Sequence, residues 1–257
     1  MIEHHLRLGS TNDEALRRAR EGALGPLFIM ADDQYAGRGR HGKVWQAPPG
    51  NLNISLLLIN PAPLAQMPEL GFVAGVAVHS ALCALLQDAT LSAALKIKWP
   101  NDLVYGAAKL SGLMLEAHQI APGRQACVIG IGVNCRAIPE NLPYAATHLS
   151  ALAGRVIEAG DVATHLIAAL GRELATYAEG AGFASIRQRW LARAAGLGTL
   201  VTLDTGSARR TGLFQTIDRH GRLVLMIDGL EARFDAGDVF LTPSATTATS
   251  RKELESL

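Results

Sequence analysis

The chain lacks the marks of several common protein classes. Its three cysteines, Cys83, Cys127 and Cys135, are odd in number and show no Cys-x-x-Cys spacing, which argues against a disulfide scaffold or a zinc knuckle and fits a reducing compartment. Neither sign of charge dominates: 24 Lys and Arg against 23 Asp and Glu leave a formal net charge of +1, so no global field points to nucleic acid or an anionic membrane. Long apolar runs are missing too. The longest, Phe72 to Leu86, is interrupted by His79 and Ser80 and is shorter than the roughly 20 residues that cross a bilayer, so it reads as a buried helix. Met1-Ile2-Glu3-His4-His5 lacks the basic start and apolar core of a signal peptide. The expectation is a cytoplasmic protein with no membrane partner. No Gly-x-x-x-x-Gly-Lys phosphate loop, Gly-x-Ser-x-Gly elbow or His-Glu-x-x-His pair occurs, and the eight histidines form no ligand cluster, which removes the familiar ATPase, hydrolase and metalloprotease classes.

What is present suits one medium-sized domain with a small appendage: 257 residues, 49% of them hydrophobic. Ser10-Thr11-Asn12 precedes a run of helix formers ending near Gly22, and Thr11 with Glu14 matches a capping box. Pro26 to Met30 reads as a strand, Asp32 to Asn51 as a long glycine-rich loop, Leu52 to Ile59 as a strand buried on both faces, and Met67 to Leu86 as a helix. Leu95 to Trp99, Leu103 to Tyr105, Leu110 to Ala117 and Ala126 to Val133 form a strand meander, with Gly106-Ala107 as a hairpin tip. Helices follow at about Asp161 to Glu179 and Phe183 to Ala194. Beyond Thr199 short strands alternate with glycine-bearing turns, the composition of a small β-barrel, and a Ser/Thr-rich tail closes the chain. The fold class is α+β, with residues 1–196 as the main domain, 197–242 as the barrel and 243–257 as a flexible tail.

The densest chemistry lies in Gly37-Arg38-Gly39-Arg40-His41-Gly42-Lys43-Val44-Trp45. Alternating glycines let backbone amides curl toward an anion, and Arg38, Arg40 and Lys43 add cations that bind phosphate or carboxylate. An isolated arginine-glycine pair is more often a solvated turn; the length and density of this loop and the nearby Trp45 favour a ligand. Lys98-Trp99-Pro100-Asn101-Asp102 taken alone is a turn, and Lys109 alone is a surface lysine, although its place just past the hairpin tip could aim it at the same cleft. Gly130-Ile131-Gly132-Val133-Asn134 lacks the third glycine of a dinucleotide fingerprint and reads as a strand that a ligand or backbone approaches closely.

In order and spacing, Ser10-Thr11-Asn12, Gln34 with Gly37-Arg38-Gly39-Arg40 and Trp45, Lys98-Trp99-Pro100-Asn101-Asp102, Lys109-Leu110 with Gly112, and Gly130-Ile131-Gly132-Val133-Asn134 resemble the biotin–protein ligase family. The resemblance runs from about Ser10 to Leu241. It implies a mixed sheet backed by helices, related to class II aminoacyl-tRNA synthetases, with a carboxy-terminal SH3-like barrel. It also implies synthesis of biotinyl-5′-adenylate from biotin and ATP, with magnesium accompanying the triphosphate through ligands the sequence does not name. Biotin would then pass to a lysine of a biotin carboxyl carrier domain. Carried over by motif, Ser10, Thr11, Asn12, Gln34, Arg38, Gly39, Arg40, Trp45, Lys109, Gly130, Gly132 and Asn134 would contact biotin or its adenylate. Arg40 and Lys109 would act catalytically, and Asp102 would orient the attacking amine. Some members add a DNA-binding helix-turn-helix; the nine residues before Ser10 are too few for one, so no DNA partner is expected, while a homodimer is left open. The sequence departs from the family at His41-Gly42-Lys43, where further arginine is commoner, and at Gly106-Ala107-Ala108, where polar residues are. A lipoate- or octanoate-handling relative and a non-catalytic sensor are the competing readings.

Overall fold

The computed structural model describes residues 1–241; the expected flexible tail lies outside the described residues. The elements run β1 Ile2–Leu8, α1 Thr11–Arg20, β2 Leu27–Gln34, β3 Leu52–Ile59, α2 Glu69–Leu86, α3 Ala89–Ala94, β4 Leu95–Lys98, β5 Asp102–Tyr105, β6 Ala108–Ala121 and β7 Arg124–Val133. They continue with α4 Leu149–Ala153, α5 Ala159–Tyr177, α6 Phe183–Leu191, β8 Leu200–Asp204, β9 Arg209–Ile217, β10 Leu223–Ile227, β11 Leu230–Phe234 and β12 Asp238–Leu241.

Seven strands form one mixed sheet in the order β1-β2-β3-β7-β6-β5-β4. Only β1 with β2 is parallel; β4 to β7 make the expected antiparallel meander, with Gly106 at φ +58 at the hairpin tip, where a residue lacking Cβ costs least. α2 supplies the core on one face of this sheet. It carries Leu70, Val73, Val76, Ala77, Val78 and Leu82 with no measurable exposure, and it packs against α5, α6 and the sheet. α2 is long and apolar enough to span a membrane, yet 78% of that stretch is buried inside the protein. Apolar residues on all sides mark a helix enclosed by its own chain. α1 covers the other face with a smaller cluster, Ala15, Ala19, Ile29, Leu57 and Val128.

Three elements, β1, α3 and α4, were not anticipated from sequence. The strand Ile2–Leu8 alternates exposed and half-buried positions and is held by pairing with β2 rather than by a strong apolar period; α3 and α4 are only six and five residues long. The carboxy-terminal strands form an antiparallel sheet in the order β11-β10-β9-β8-β12. Closure of that sheet into a barrel is not seen among the described residues. Cys127 and Cys135 are buried and free, and burial pushes both thiols up to about 12. They serve as small core residues.

Candidate active site

One end of the site is neutral and buried. Ser10, in extended conformation at φ −152 and ψ 131, caps α1 by accepting from the Asp13 amide at 3.4 Å. The expected Thr11–Glu14 capping box is therefore corrected. The helix begins one residue earlier, and Glu14 pairs with Arg17 at 2.6 Å and Arg18 at 3.2 Å; the Arg17 hydrogen bond, foremost, holds its carboxyl below the usual range. Freed from capping, Thr11 donates through its amide at 2.9 Å and its hydroxyl at 3.0 Å to Gln34 Oε1 at the end of β2. Ser55 Oγ on β3 lies 2.7 Å from Thr11 Oγ1 and 2.6 Å from Asn12 Oδ1, and Asn12 Nδ2 donates to Glu116 at 2.7 Å. Each of these polar side chains thus has its position set by another.

The floor between the ends is glycine. Sheet register sets Gly112 beside Gly132, Gly130 beside Ser55, and Gly132 beside Asn53. A Cβ at Gly130 would collide with Asn12 Oδ1, and one at Gly132 would collide with the Trp45 indole. The bare strip is what allows those side chains to lie on the strands.

The other end is charged and more open. The loop doubles back through Gly39 N–H to Lys43 O at 2.7 Å and Trp45 N–H to Gly37 O at 2.9 Å, with His41 (φ +56) and Gly42 (φ +71) at its turn. Arg38 pairs with Asp13 and lies 3.5 Å from Glu116. Arg40 reaches Asn101 Oδ1 at 3.1 Å and stands 3.8 Å from Asp238, while Lys43 Nζ pairs with Asp238 at 2.6 Å. Across the opening Lys109 Nζ bonds Asp102 at 2.7 Å, Lys98 holds the other oxygen of Asp102 at 3.2 Å, and Lys109 stands 5.7 Å over the Trp45 ring. Burial, the largest influence, lowers the Arg40 guanidinium from its ordinary range against the pull of Asp238 and Asp102. Burial also acts most strongly on Asp238, upward, but Lys43, Arg40 and His41 together outweigh it and hold that carboxyl low.

These residues enclose one cavity of about 360 Å³. Ser10, Thr11, Asn12, Gln34, Arg38, Gly39, Arg40, Trp45, Asp102, Lys109, Gly130 and Gly132 all line it. Asn134 does not. It is buried behind the wall, where Nδ2 donates to Thr147 O at 3.1 Å and its carbonyl accepts from Leu149 N–H, tying down the segment that carries Tyr144. Sequence reasoning missed Asn53, Ser55, Tyr144, Glu116 and Asp238. Asn53 and Ser55 had a signal, polar residues two apart in an otherwise apolar strand, which places both on one face. Asp238 had none, since 195 residues separate it from Lys43.

Fold and cavity together define an α+β protein whose mixed sheet carries one cavity lined by neutral polar side chains at one end and by cations at the other. The chain belongs to the Biotin/lipoate A/B protein ligase family, whose model matches residues 8–134. It is 37% identical over 242 residues to a biotin–[acetyl-CoA-carboxylase] ligase of Paracoccus denitrificans, covering 91% of this chain and 98% of that protein. It is 31% identical to the bifunctional ligase/repressor BirA of Bacillus subtilis, covering 86% of this chain and 68% of that protein. Among solved structures, the biotin protein ligase from Aquifex aeolicus in complex with biotin and ATP superposes with a TM-score of 0.77 at 26% identity, covering 95% of this chain and 99% of that one.

Proposed function

We propose that this protein activates biotin with ATP, forming biotinyl-5′-adenylate and pyrophosphate, and then transfers the biotinyl group to a lysine of a biotin carboxyl carrier domain, releasing AMP. The observation that carries the reading is the meeting, in one cavity, of a neutral hydrogen-bonding corner with Arg38, Arg40 and Lys109. A carboxylate and a triphosphate repel each other, and attack on the α-phosphate gathers further negative charge, so the approach requires fixed cations. Arg40 and Lys109 take that role. Ser10, Thr11, Asn12, Gln34 and Gly130 receive the acid's uncharged portion; Arg38, Gly39, Gly132 and Trp45 hold the chain and adenylate. Holding both reactants in register supplies much of the remaining rate, and closure of the loop keeps water from the mixed anhydride.

Asp102, bonded to Lys109, orients the incoming lysine amine. Magnesium enters with the triphosphate. The metal would neutralise phosphate charge; among the described residues the carboxylates on the cavity wall, Asp102 and Asp238, would be the ones to hold it, and both carry lysine partners here. We read residues 197–242 as the SH3-like module and residues 1–196 as the catalytic body; the second, five-stranded sheet supports this. We read the protein as cytoplasmic, working beside its carboxylase substrate. The family description also covers lipoate, and the 37% identical relative favours biotin. Incubating the purified protein with biotin, Mg-ATP and a carrier domain tests the proposal: pyrophosphate release and a labelled lysine are expected, and absence of both overturns it. Calorimetry with biotin, lipoate and octanoate tests the choice of acid.

A further inference from the structure

Asn53 is the wall residue whose hydrogen-bonding capacity is half used. It lies on β3 between Ala31 of β2 and Gly132 of β7, is 2% exposed, and lines the cavity. Strand alternation sets it on the face of Ser55, about 7 Å along the strand from the neutral corner. Trp45 Nε1 donates to Asn53 Oδ1 at 3.3 Å. An indole N–H can only donate, so this bond decides which way the amide faces and leaves Nδ2 as the free end. Nδ2 is buried and has no partner among the described residues. Buried donors in folded proteins are nearly always satisfied, and in a ligand cavity the missing acceptor belongs to the ligand. The position, between the Thr11–Gln34–Ser55 corner and Lys109 over Trp45, corresponds to the junction of the acid's uncharged body with its carboxylate.

We propose that Asn53 is a specificity-determining residue whose Nδ2 donates to a carboxylate oxygen of the bound acid while its Oδ1 holds Trp45 in place. The bond persists once that oxygen becomes part of the acyl phosphate, so one amide links recognition of the acid to the position of the loop. This inference rests on the acid-activating reading of the site.

Asn53→Asp is nearly isosteric, keeps an acceptor for Trp45 and removes the donor; Asn53→Ser is the uncharged second variant, too short to reach the ligand. Both are titrated with biotin and with an analogue ending in methyl where biotin has its carboxylate, alongside thermal melts. The expected result is at least tenfold weaker biotin binding for Asn53→Asp and roughly fivefold for Asn53→Ser. In Asn53→Asp, which keeps the acceptor for Trp45, affinity for the methyl analogue should change less than twofold, and KM for biotin should rise while KM for ATP holds. Biotin affinity within twofold of the unsubstituted protein in both variants overturns the proposal. So do equal losses with the two ligands, which would make the role structural. Failure of the unsubstituted protein to bind biotin at all would instead overturn the functional reading.

Discussion

The two ends of the cavity follow opposite electrostatic plans. At one end Thr11, Asn12, Gln34 and Ser55 are neutral or nearly so and bonded to one another at 2.6–3.0 Å. At the other, the cations already face carboxylates: in the loop Arg38 faces Asp13 and Lys43 and Arg40 face Asp238, and across the opening Lys109 faces Asp102. The first arrangement is rigid and reads shape, because disturbing it leaves buried polar atoms unpaired. The second is exchangeable. The exposed pairs, Arg38–Asp13 and Lys43–Asp238, contribute about 0–1 kcal/mol each, so an anionic ligand can replace those carboxylate partners at little cost. Recognition and activation are thus divided between a fixed end and an end that re-pairs.

Substitutions at the two ends should therefore fail differently. The largest effect is expected at Lys109, where alanine should lower the rate of adenylate formation by about 10²–10³-fold with little change in melting temperature, since Asp102 keeps Lys98 as a partner; rapid-quench measurement of the adenylate checks this, and unchanged turnover removes Lys109 from the site. Next comes Gly130→Ala, whose methyl would displace Asn12 from Ser55. Loss of that buried pairing, about 1–3 kcal/mol, predicts on the order of tenfold or more in acid affinity by calorimetry. Thr11→Val removes one hydroxyl of the same corner and should weaken the acid about fivefold, equally at low and high salt, because no charge is involved.

The smallest effect is expected at the tie between Lys43 and Asp238. Asp238→Asn should change ATP affinity by no more than about fivefold, and the change should shrink as salt is raised. It also carries a pH signature. The folded-state pKa of Asp238 lies below its ordinary value, so its pairing stabilises the protein above the usual carboxylate range and is lost as pH falls through the depressed value. Thermal melts down through that acid range should show a loss in the unsubstituted protein that is reduced in Asp238→Asn. An equal acid dependence in both would break the contrast drawn between the two ends.

Much of this fold was legible because its long elements are strongly patterned. β3 and α2 appear within two residues of where apolar runs and breakers put them, whereas β1, α3 and α4 depend on neighbours that local sequence does not reveal. The site was legible where motifs are dense, from Gly37 to Trp45 and around Lys109. It was illegible where one residue acts from far along the chain, as Asp238 does, or where a polar residue hides in an apolar strand, as Asn53 does.

By itself the sequence determined the local chemistry: a loop of glycines and cations able to curl around an anion, a glycine strip able to let side chains lie flat on strands, and a helix start rich in hydroxyl and amide groups. These follow from residue type and spacing over a few positions. Only the tertiary structure decided that they share one cavity, that Ser10 rather than Thr11 caps α1, that Asn134 stands behind the wall, and that the carboxy-terminal sheet holds the loop through Asp238. Those outcomes depend on strand order and on which face of a strand a side chain takes, both settled by burial of the whole core.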